Sequence, residues 1–218
     1  MPFSVEQFFG VFSEYNQAVW PLQFVAFLTG FIAVALLWST TRIAAAIIAG
    51  ILSALWIVNG IGYHWLYFAT INPAARLFAV AFVLQGLLLA YTAFARPELR
   101  LHVGRDLASV FGMACIAFAI LLYPVVGWLA GDRYPAVPVF GIAPCPTTIF
   151  TVGILLHGQW RQVRWLLVIP GLWAGIGGSA SFLLGVPQDY ALFAALIGLV
   201  LLAFGHWRGR RLQRSSTG

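Results

Sequence analysis

The 218-residue chain contains no lysine; all twelve of its basic residues are arginine. This excludes retinal and pyridoxal Schiff bases and a Walker-type nucleotide site, each of which needs a lysine amine. Charge of either sign is scarce. Only 8% of residues are charged, against about 25% in an ordinary soluble domain. Cys115 and Cys145 are too few for a disulfide framework. Met1 and Met113 do not make a thioether copper path. No GxSxG stretch or Ser-His-Asp spacing is present, and no enzymatic activity is expected. The opening MPFSVEQFFGVFSEYNQ lacks a basic leader and a compact apolar core, so no secretory signal is expected.

What the chain has instead is hydrophobicity: 61% of residues, with mean hydropathy +0.91. Such a chain cannot cover its own surface with polar groups in water, so lipid must be its solvent. The reading is an all-α integral membrane protein, one transmembrane domain over residues 1–218. Seven apolar spans are predicted near 17–39, 43–66, 73–95, 106–129, 146–160, 165–185 and 189–206, most of them near the roughly 20 residues that cross a bilayer. Before them, residues 1–16 place Phe8, Phe9, Phe12 and Tyr15 at helical spacing among Glu6 and Glu14, which predicts an interfacial helix. The outer segment 130–146, AGDRYPAVPVFGIAPCP, carries four prolines. Irregular backbone this apolar can enter the membrane only where protein covers it.

Arginine sets the expected orientation. With the N-terminus outside, Arg42, Arg96, Arg100, Arg105, Arg161, Arg164, Arg208, Arg210, Arg211 and Arg214 fall inside, and only Arg76 and Arg133 fall outside. The tail 207–218 is then a cytoplasmic topology determinant, and no nucleic-acid partner is expected. A three-plus-one-plus-three repeat was sought. AVWP (18–21) and APCP (143–146) open the first and fifth spans, and Trp56 and Trp173 sit in comparable helices. Chance alignment of Leu-, Ala- and Phe-rich segments is the competing explanation.

Polar residues inside lipid are costly and draw attention to three clusters. In WIVNGIGYHW, Trp56, Asn59 and Tyr63 share a helix face and His64 lies beside them. They form either a solute-facing strip or an interhelical bond plus an aromatic belt with Trp65. In GIAPCPTTIF, Pro146 suits a first helical turn and places Cys145 near the N-cap. Thr147, Thr148 and Thr151 follow; they either contact a solute at a helix N-terminus or bond back to carbonyls. In PGLWAGIGGSASFLLG, Gly171, Gly175 and Ser179 recur every four residues, a pattern for close helix packing. Asp189 is expected to cap the last helix and Gln85 to bond a neighbour. A haem pair has no matched histidines, and zinc or copper would need more ligands than His64 and Cys145. No metal and no cofactor are expected.

The segments VEQFFGVFSEYN, NGIGYHWLYFATINPAA, YPVVGWLAGDRYPAVPVFGIAPCPTTIF and LLVIPGLWAGIGGSASFLLGVPQDY resemble a family of bacterial polytopic membrane proteins, domain of unknown function 6064. The resemblance implies a bacterial inner-membrane protein and supplies no catalytic residues. The expected function is a small-solute permease with Asn59, Tyr63, His64, Cys145, Thr148 and Asp189 as substrate contacts. The alternatives are a non-transporting sensor, assembly factor or complex subunit, and a metal or redox protein. The expected partners are the bilayer and a small solute; the sequence does not decide between a homo-oligomer and a partner subunit.

Overall fold

The structure is a computed structural model that describes residues 2–215, with side chains through Arg208. The tail residues Arg210, Arg211 and Arg214 therefore lie outside the described side chains, and 216–218 outside the described residues. No strand occurs among the described residues; a single bridge joins Leu101 and Gly158.

Helix α1, Val5–Ala18, starts from a capping box in which Ser4 and Gln7 exchange hydrogen bonds. It meets α2, Leu22–Leu36, at 86°, so it lies across the end of the bundle as an interfacial helix would. Helix α3, Arg42–Val58, runs on through a π-helical segment, Asn59–Tyr67, to make one continuous 29-residue rod ending at Thr70. Helix α4 spans Ala75–Ala95. Helices α5, Leu107–Ala117, and α6, Tyr123–Leu129, are joined by a second π segment, Phe118–Leu122. Helices α7, Pro144–Leu155, α8, Trp160–Val163, and α9, Val168–Leu184, precede a 3-10 turn, Pro187–Tyr190, and α10, Ala191–Ser215.

Four of these rods are long and apolar enough to cross a membrane, or five if α1 and α2 count as one bent span. The other apolar helices, α7 and α9, have 12 and 17 residues. The fifth predicted span is shorter than expected, and it begins two residues earlier. Pro144 takes the first turn and Ala143 the cap, so Cys145 lies inside the helix. The proposed repeat halves also differ, since α9 contains no π segment to match the one that follows α3.

Helix α7 is the hub. Every one of its residues except Cys145 is buried, and it contacts α3, α5, α9 and α10. Its closest neighbour is α5. A Cβ built on Gly153 would stand 2.7 Å from the Gly112 carbonyl oxygen, and one on Gly112 would stand 2.7 Å from the Gly153 carbonyl oxygen. Only glycine permits that backbone-to-backbone approach. The irregular stretch before α7 is covered by protein, with Phe140, Ile142 and Ala143 each 1% exposed. Phe140 fits against Gly30 of α2, and Gly141, at φ +80°, lies against Ala26. At the same end, the Asn16 amide donates to the carbonyls of Pro135 and Val137, and Gln23 donates to the Asn16 carbonyl.

Gly153→Ala should destabilise the protein by about 1–3 kcal/mol through overpacking against α5. Gly10→Ala, whose new methyl meets no atom within 4 Å, should instead gain about 0.5–1 kcal/mol. Thermal unfolding in detergent checks both; equal effects would remove α5 and α7 as the tight contact.

Candidate functional site

The π segment decides where the second-span polar residues point. Each of its turns takes one residue more than an α turn and links residues five apart. That extra residue turns both Tyr63 and His64 toward the interior below Asn59, where an α-helix would have carried His64 away. All three are buried, as is Trp56, whereas Trp65 is half exposed. Asn59 is engaged structurally. Its amide donates to the carbonyls of Leu55 and Gly141 and lies 3.4 Å from the Thr147 hydroxyl. Trp56 donates to the Thr151 hydroxyl at 2.8 Å. His64 sits in an aromatic box, with the rings of Phe82 and Trp173 at 4.6 and 5.0 Å. Neither of its ring nitrogens has a hydrogen-bond partner.

The threonines take the local option. Thr147, Thr148 and Thr151 each bond back four residues, to the carbonyls of Ala143, Pro144 and Thr147. Thr148 is fully buried and does not line the cavity described next.

Tyr63, Cys145 and Asp189 do come together. They line a cavity of about 180 Å³ between the π segment and the ends of α7 and α9, roofed by Phe3 and, from α1, Phe8 and Phe12. Trp173, Ser181 and Asn72 share the lining. Asp189 is not the cap it was expected to be. Its backbone is held within the 3-10 turn, and its carboxylate points into the protein, where it accepts a hydrogen bond from the Tyr123 hydroxyl. Cys145 lies beside this carboxylate and the Trp173 indole. Tyr123 had no signal in the sequence: it is one tyrosine among seven, and its partner is 66 positions away. Gln85 does bond a neighbour, the Leu166 carbonyl. No group of three or more His, Cys, Asp or Glu side chains that could hold a metal occurs among the described residues.

The small-residue face of α9 is rotated from the one read in the sequence. A Cβ added at Gly171 would stand 3.3 Å from Leu199, one at Gly175 would make only an ordinary contact, and Ser179 is exposed and bonds back to Gly175. The tight positions are Gly177 and Gly178, where an added Cβ would stand 3.1 Å from Leu192 and Phe193 of α10. The chain reverses after α9 at Gly185, where φ is +69°.

Outside the helices, Asp132 accepts from the Gln188 amide at 2.6 Å, linking the 130–143 loop to the turn that carries Asp189. Burial holds the Asp132 carboxyl above its ordinary value, outweighing the Gln188 donor and the Arg133 charge. The folded state therefore binds this proton more tightly than the unfolded chain. Stability is fullest with Asp132 protonated and falls as pH rises from the ordinary value of 3.8 through the raised one. Asp132→Asn keeps an acceptor for Gln188 and removes the charge. It should melt at or above the wild type at neutral pH and lose its advantage below about pH 3.8; a constant offset across pH would contradict this. Tyr123→Phe should cost about 1.5–3 kcal/mol, since it leaves a buried carboxylate with the weak Cys145 thiol as its remaining donor. Unfolding that is unchanged in the variant would show that the bond carries no weight.

A family model described as "Family of unknown function (DUF6064)" matches residues 5–214. No curated protein and no solved structure matches the chain.

Proposed function

The chain belongs to the DUF6064 family, and from that premise we propose that it is a seven-span bacterial inner-membrane permease for a small solute. The observation that carries this reading is the cavity: about 180 Å³, bounded by apolar helices, with Tyr63, Cys145 and Asp189 in its wall. An ionisable residue at such a place is costly in lipid and is retained where it meets a substrate or ion. Two π segments interrupt the rods beside it, and local departures of this kind recur at functional sites.

The seven spans are α2, α3 with its π segment, α4, α5 with α6, α7, α9 and α10. Helix α7 alone is about 18 Å long, and the protein-covered stretch Phe140–Ala143 extends it toward the outer face. Arginine asymmetry supports an N-terminus outside and a C-terminus in the cytoplasm. A second reading, a non-transporting receptor or subunit, draws on the packed core beneath the cavity, where Trp56, Phe82 and Phe150 are at most 1% exposed.

Proteoliposomes containing the purified protein test the reading. Uptake would be measured for radiolabelled methylammonium, glycine, acetate and glucose. The expected result is flux of at least one solute, reduced about tenfold in Asp189→Asn. Saturable binding without flux would favour the receptor instead.

A further inference from the structure

We infer that the end cavity is a binding site for a small organic ammonium cation. This rests on reading the cavity as a solute site and adds the chemical class of what enters it.

The first observation is the composition of the wall. Phe3, Phe8, Phe12, Tyr63, Phe68, Phe78 and Trp173 supply seven aromatic side chains around one carboxylate, that of Asp189. Aromatic rings attract cations through their quadrupoles, and a surround of several rings with an acid suits alkylammonium groups. The second observation is the missing counter-charge. Asp189 is 4% exposed, yet the groups that bond its carboxylate, the Tyr123 hydroxyl and the Cys145 thiol, are neutral. No arginine lines the cavity, and the ion pair found among the described residues, Arg96–Glu98, is in a distant loop. A buried carboxylate is normally paired. The cavity leaves space beside this one for the pair to come from outside.

The third observation is the charge of the whole end. Glu6, Glu14, Asp132 and Asp189 are there, four of the six acids, with only two of the twelve arginines, Arg76 and Arg133. Contacts of Phe3 with Phe68, of Asn16 with Pro135 and of Gln188 with Asp132 place these segments together. The opposite end holds Arg42, Arg96, Arg100, Arg105, Arg161, Arg164 and Arg208, seven of the nine arginines with described side chains. A net acidic mouth on a strongly basic protein concentrates cations and repels anions.

The wall also selects among cations. A bare metal ion needs several oxygen or nitrogen donors to replace its water shell; this wall offers one carboxylate, with Tyr63, Asn72 and Ser181 as its other oxygen-bearing side chains, among aromatic rings. An alkylammonium brings its own apolar shell, which the phenyl rings can cover.

The test is isothermal titration of the full-length protein in nanodiscs with tetramethylammonium chloride, tert-butanol and sodium acetate. Saturable binding of tetramethylammonium is expected, with tert-butanol weaker by about tenfold or more and acetate not bound. Asp189→Asn, which keeps an acceptor for Tyr123, should weaken tetramethylammonium about tenfold. Trp173→Leu should weaken it about threefold or more, and Trp173→Phe less. Should Asp189→Asn fail to fold, the wild-type comparison of cation with neutral isostere still decides. Equal binding of tert-butanol, or no tetramethylammonium binding, overturns the proposal. So does an unchanged affinity in folded Asp189→Asn. Cation binding without flux would overturn the permease reading alone. Flux of glucose or acetate without cation binding would overturn this inference and leave the permease reading standing.

Discussion

The architecture depends on a helix that has no free side. Helix α7 is enclosed by α3, α5, α9 and α10, so every polar atom on it must find a partner within the protein. The threonines do this by bonding to their own helix, and Thr151 and Thr147 then offer oxygen lone pairs to Trp56 and Asn59 of the next helix. Side-chain hydrogen bonds thus tie α3 to α7 in a region where water cannot substitute. The Gly112–Gly153 contact fixes the other side. Once α7 is held on both flanks, its first turn presents Cys145 to the end cavity.

Above that turn the protein changes character. The core below packs Ile48, Leu52, Ile149 and Ile154 around the rings of Trp56, Phe82 and Phe150, whereas at the end rings predominate. Phe12, Tyr63 and Phe68 form a stack with centroid separations of 4.9 and 5.6 Å. Rings are rigid and bury much surface for few rotatable bonds, so they can bound an open volume without collapsing into it. The roof, α1, is fastened separately by the Asn16 and Gln23 bonds to the loop and to the α1–α2 bend.

Much of the fold was legible because it follows from hydropathy. The apolar segments, the aromatic α1 and the short fifth helix could be read from composition and spacing alone. The shared face of Trp56, Asn59 and Tyr63 was legible too, but the inward turn of His64 was not. A π segment has no reliable signature in residue type; it reflects how a helix is paid out against its neighbours, here Phe82 and Trp173. Asp189 looked like a cap because it precedes a helix by two residues, a local argument. A buried tyrosine 66 positions away outweighs it. Cys145 and Asp189 were both named from the sequence, whereas Tyr123 and Trp173, which complete their surroundings, are ordinary aromatic residues until the chain is folded.

The π segment has a consequence for how this chain can change over time. Because one extra residue is wound into Asn59–Tyr67, a single deletion there would leave length, hydropathy and charge almost untouched. Yet it would rewind the segment as α-helix and rotate His64, Tyr63 and everything up to the Thr70 turn relative to α3. The cavity wall is therefore encoded partly by residue number and not only by residue identity. Relatives with or without that one residue would differ in what faces the cavity while remaining nearly indistinguishable in composition.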